Sequence, residues 1–148
     1  VVGWIVGIAA VAAIAIVFAL MLQPRESPEQ QQARENIPTY LAKVESCQSL
    51  INAGSYQNYY PLLTARDDME AIRQLENAGR GFYPETYNRY GTLKSQLDKK
   101  MGDIAEQYGN HAKGFIELDP NMAKEEYGIA KLLDPSYTSP EYERLMNH

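Results

Sequence analysis

The sequence predicts an all-α protein: a single N-terminal transmembrane helix, then a small soluble helical domain built as a bundle or stack of about five helices. Three observations carry this. Residues 1–22, VVGWIVGIAAVAAIAIVFALML, hold no charged and no strongly polar side chain. Beyond them, apolar residues recur at three- and four-residue spacing, and no useful stretch alternates as a strand does. Prolines precede the helical runs, several with a capping oxygen before them, as in Ser27-Pro28, Asp119-Pro120, Asp134-Pro135 and Ser139-Pro140. A proline there removes only an N–H that a helix start leaves unpaired.

The apolar run comes first. Residues 1–22 rising about 1.5 Å each make roughly 33 Å, enough for a hydrocarbon core of about 30 Å. A cleaved secretory signal would have a shorter apolar core and a small-x-small end, whereas this run closes on Ala19-Leu20-Met21-Leu22. Gly3/Gly7, Ala9/Ala13 and Ala15/Ala19 repeat small residues at helical spacing. Such pairs let two membrane helices approach closely, so this span is expected to pack on a helix of another subunit or of a second copy. Trp4 suits the interfacial belt.

Residues 23–36, QPRESPEQQQAREN, form a polar juxtamembrane linker in which Ser27-Pro28-Glu29 has the form of a helix start. The soluble domain is expected over 37–148. From Ile37 the apolar positions 37, 40, 41, 44, 47, 50 and 51 give an amphipathic helix, stopped at Gly54. SYQNYYPLL then reads as a turn or short helix interrupted by Pro61. Thr64-Ala65-Arg66-Asp67 has the form of a capping box, followed by Met69, Ile72, Leu75 and Ala78 on one face and a stop at Gly79 to Gly81. Tyr83-Pro84-Glu85 opens the longest segment, which runs towards Leu118 with a seam of Leu97, Met101, Ile104, Tyr108, His111 and Phe115. Gly91, Gly102, Gly109 and Gly114 weaken it by about 1 kcal/mol each, which predicts a break near 109–114.

The run His111 to Ala130, HAKGFIELDPNMAKEEYGIA, resembles the junction between two tetratricopeptide-type repeats. Ala112, Ile116, Glu117, Leu118, Asp119, Pro120, Asn121, Ala123, Tyr127 and Ala130 match the pattern, and Leu133-Asp134-Pro135 echoes the corner. The corners stand fifteen residues apart rather than at the full repeat of about 34, and no Trp-x-x-Leu-Gly precedes them. The resemblance implies stacked helices that bind other proteins.

Charge and composition narrow the function. Fourteen basic residues against nineteen acidic ones give a net charge of −5 without a basic cluster. That excludes phosphate-driven nucleic-acid binding and a polybasic contact with anionic lipid. The single cysteine, Cys47, lies among Val44, Leu50 and Ile51 and is read as a small buried apolar residue. His111 and His148 have no His or Cys close by, so neither a metal nor another cofactor is expected. Asp67/Asp68 and Glu125/Glu126 are adjacent on helices and splay about 100° apart, as solvated faces rather than a catalytic pair. Without a nucleophile elbow, phosphate loop or hydrolase motif, the reading is non-catalytic.

Tyrosine is the compositional excess, 11 against three Phe and one Trp. Tyr56, Tyr59 and Tyr60 gather around Pro61, and Tyr83, Tyr87 and Tyr90 stand at the start of the long segment. Large apolar rings with polar tips suit a partner surface, and equally a shallow core. The expected function is an interaction or assembly subunit of a larger membrane complex, touching lipid through 1–22. The linker has no excess of Lys or Arg, which favours an extracytoplasmic helical domain. The alternative is a membrane-tethered, tetratricopeptide-like adaptor for a protein or peptide.

Overall fold

The computed structural model describes residues 25–147. Six helices make up its regular structure: α1 (Pro28–Glu35), α2 (Ile37–Ala53), α3 (Tyr60–Gly79), α4 (Tyr90–Phe115), α5 (Pro120–Leu133) and α6 (Pro140–Met146). The expected membrane span, with Gly3, Gly7, Ala9 and Ala13, lies outside the described residues. Among the described residues no helix is long and apolar enough to cross a membrane.

Local chemistry accounts for three of the six helix starts. The side chains of Ser27, Asp119 and Ser139 accept from the N–H groups of Gln30, Met122 and Tyr142 at 3.1 Å each, with proline opening each helix behind them. α1 begins at the helix start that Ser27-Pro28-Glu29 marks in the sequence. Residues 28–35 are no slack linker, because Ala33 is buried against the bundle. Only Asn36, itself in helical conformation, separates α1 from α2, so the two run on as an interrupted helix.

The packing register follows from named contacts. α2 and α3 are antiparallel: Gly54 meets Leu62, the Cys47 sulfur lies 3.6 Å from that of Met69, and Tyr40 reaches Glu76. α4 runs back beside α3 and parallel to α2, with Tyr40 bonded to Arg89 at one end and Tyr108 to Tyr56 at the other. Midway, Lys100 Nζ donates to the Ile51 carbonyl at 2.6 Å. α5 returns along α4, placing Ala123 and Tyr127 against Ala112, and Arg66 ties α3 to the carbonyl of Leu132 at 2.8 Å. The result is an up-down bundle whose core runs from Ala33 to Leu133. A smaller cluster of Ala112, Ala123 and Tyr127 seats α6 through Tyr142 and Leu145.

The bundle has two distinct ends. At the near end the chain enters through α1 and turns through 80–89. At the far end lie the 54–59 turn, the last turns of α4, and α6.

Several expectations are corrected. Tyr83-Pro84-Glu85 opens no helix: residues 80–89 form hydrogen-bonded turns, and the long helix begins at Tyr90. That helix is unbroken to Phe115, glycines included. α3 starts at Tyr60 with Pro61 in its first turn, so Thr64 is no cap, and its hydroxyl donates back to the Tyr60 carbonyl at 3.3 Å. His111 is exposed rather than on the seam, and pairs with Glu126 of α5. The second Leu-Asp-Pro closes α5 and starts no helix, since Asp134 Oδ1 accepts from the Ser136 N–H at 3.0 Å in a turn.

Candidate functional site

Glycine and tyrosine together decide what each end can offer. At the near end, Gly79 closes α3 against the Tyr87 ring, and a Cβ there would collide with the ring carbons. Tyr87 is fully buried. Its hydroxyl donates to the Ala33 carbonyl, and its ring centroid sits 4.6 Å from that of Tyr40. Tyr40 O–H donates to Glu76 Oε2 at 2.8 Å, and the backbone N–H of Tyr90 donates to the same oxygen at 2.9 Å. The Tyr40 oxygen in turn accepts from the N–H of Arg89 at 3.0 Å.

Glu76 is therefore a capping carboxylate supplied from α3, satisfying the first turn of α4, whose own N-cap residue Arg89 gives no side-chain bond. Burial, with the Glu76 carboxylate beside it, pushes the Tyr40 phenol up to about 12. This network fixes structure. Of the three tyrosines the sequence offers here as a docking surface, Tyr87 is core, while Tyr83 and Tyr90 are half-buried against it.

Tyr56, Tyr59 and Tyr60 do come together, at the far end. Tyr59 stacks on Tyr60 with centroids 4.9 Å apart. Tyr108 of α4, which the sequence placed only on a seam, completes the cluster, 4.5 Å from Tyr56 and edge-on to Tyr59 at 5.8 Å. Its hydroxyl donates to the Tyr56 carbonyl at 2.7 Å. Burial pushes the phenols of Tyr56, Tyr59 and Tyr108 up, so they remain neutral donors. Tyr60 is 66% exposed and offers a ring face to solvent.

Beside the last turn of α4, a cleft of about 740 Å³ opens between that turn and α6. Ile116, Leu118 and Leu145 form its apolar walls, and Lys113, Glu141 and Arg144 give it charge. Lys113 Nζ stands 3.1 Å from Glu141. Glu141's own backbone N–H, then the Lys113 ammonium, hold its carboxyl below the usual range. Leu118 is 81% exposed. An open cleft with both apolar and charged walls can hold an amphipathic side-chain row of a partner. No sequence signal marked the cleft, since it arises from α6 packing on Tyr127.

Cys47 is buried, and burial pushes its thiol up, as does Asp68 more weakly. Among the described residues no three His, Cys, Asp or Glu side chains are grouped to hold a metal ion. No protein-family model, curated protein or solved structure matches the chain.

Proposed function

We propose that this chain is a single-pass, membrane-anchored, non-catalytic helical module that serves as an interaction or assembly subunit of a larger membrane complex. In this reading residues 1–22 span the bilayer, Gly3/Gly7 and Ala9/Ala13 pack the span on another membrane helix or a second copy, and the helical domain is extracytoplasmic. The observation that carries it is the far-end cleft, where an 81% exposed Leu118 borders a hollow with apolar walls and a fixed ion pair. Leu118, Ile116 and Leu145 together give this end an apolar patch rimmed by charge, the kind of surface a partner can cover. Tyr60 offers a second anchor at the same end.

A second reading, a tetratricopeptide-like adaptor, is favoured by one specific feature. Asp119 caps and Pro120 opens α5 at the corner where α4 and α5 meet antiparallel, within the stretch that resembles a repeat junction.

The test is Leu118→Glu in the full chain. The side chain is exposed, so helicity should match the parent, while co-purification of the partner from native membranes should be lost. A partner retained at parental level would contradict the cleft as the docking site.

A further inference from the structure

We propose that the near end of the bundle is a lipid-contacting surface: the 80–89 connection rests on the bilayer, Phe82 enters the boundary between headgroups and acyl chains, and Arg80 and Arg89 reach the phosphates. This rests on the reading of residues 1–22 as a membrane span.

The tether sets the orientation. Residues 23–27 can extend no more than about 21 Å from the apolar run to Pro28. α4 alone is roughly 39 Å long, so the far end lies beyond the tether's reach. α1 runs on from α2 at the near end, and the Ala33 carbonyl accepts from Tyr87 inside the 80–89 connection. The connection and the start of α1, where the described chain begins, therefore share one end of the molecule, and a tether entering there turns the cleft and Tyr60 away from the lipid.

The chemistry of the connection fits an interface. Phe82 is 40% exposed, and Leu41, one turn into α2 at the same end, is 45% exposed. Arg80 and Arg89 are exposed, and neither is in an ion pair among the described residues. An aromatic ring with flanking guanidiniums is the composition that settles at the membrane boundary, the long side chains reaching outward to the headgroups.

The connection is also preformed. The N–H groups of Phe82 and Tyr83 donate to the Gly79 carbonyl at 3.0 and 2.9 Å, and Tyr87 pins the turn from beneath. Little ordering entropy opposes the contact. With a net charge of −5, attraction to anionic lipid does not drive it, so uncharged phosphatidylcholine suffices.

The experiment uses the full chain in phosphatidylcholine nanodiscs, spin-labelled at Phe82→Cys or, for comparison, at Leu118→Cys, with Cys47 buried and unlabelled. A nickel chelate carried on lipid headgroups should relax the label at 82 several-fold more than the label at 118. Alkaline carbonate extraction of the same chain from vesicles tests the span separately. A chain that washes off contradicts the span, and the lipid contact with it. A chain that stays, with position 82 relaxed no more than 118, contradicts the contact alone.

Discussion

At the scale of single residues, the glycines separate into those that admit a neighbour and those that do not. Gly79 and Gly109 are sites of close approach, to the rings of Tyr87 and Tyr137, whereas a Cβ at Gly102 would meet nothing within 4 Å. Gly79→Ala should cost about 1–3 kcal/mol by overpacking the buried Tyr87. Gly102→Ala should stabilise by about 0.5–1 kcal/mol through helix propensity alone. Thermal unfolding of the detergent-solubilised chain, followed by circular dichroism, distinguishes the opposite signs.

Tyr40 gives a pH dependence. Its phenol titrates at 10.0 when free and is pushed up to about 12 in the fold, so the folded state holds the proton more tightly. The resulting stability is complete below pH 10 and is lost as pH rises through 12, by about 2–3 kcal/mol. Tyr40→Phe should flatten that alkaline decline relative to the parent. An unchanged slope in the variant would show that the phenol is not the titrating group.

At the scale of elements, the sequence was legible where local chemistry acts alone. Ser27-Pro28, Asp119-Pro120 and Ser139-Pro140 start helices because cap oxygen and proline satisfy the first turn without outside help. Gly54 ends α2 as expected, although its backbone is extended, with φ −65° and ψ 140°, and the need for glycine comes from Leu62 lying against it.

The misreadings share a cause in tertiary packing. Tyr83-Pro84 carries a helix-start pattern, yet the chain must reverse there to put Tyr87 into the space Gly79 leaves. Asp134-Pro135 has the same pattern, yet the turn carries Tyr137 back onto Gly109. Burying each ring outweighs the roughly 1 kcal/mol that a local cap or helix preference supplies. The glycines of α4 fail to break it for the same reason, since α5 packs along it.

Two variants test this level. Asp119→Ala removes the cap of α5 and should cost about 1 kcal/mol, read as a lowered unfolding temperature. Tyr87→Phe strands the buried Ala33 carbonyl and should cost about 1–3 kcal/mol. Amide exchange in α1 should accelerate first, because that bond holds α1 to the bundle. Uniform acceleration across α2 to α4 would instead mean that Tyr87 supports the core as a whole.

At the scale of the molecule, the two ends divide the work. The near end is built from satisfied polar groups: Glu76, Tyr40 and Tyr87 bind three parts of the chain together and leave nothing reactive. The far end leaves Tyr60, Leu118 and the α6 cleft open. The all-α class was readable from periodicity. The cleft was not, because it depends on where α6, a seven-residue helix, lands. Tyr127 and Tyr137 receive Tyr142 of α6, the three rings meeting at centroid distances of 5.5–6.4 Å.

The central claim, that this is an assembly subunit of a membrane complex, is tested most directly by purifying the native chain from its membranes in mild detergent and identifying the chains that accompany it. The account predicts a stoichiometric membrane-protein partner that is lost with Leu118→Glu. A parental chain that emerges alone and monomeric would contradict it.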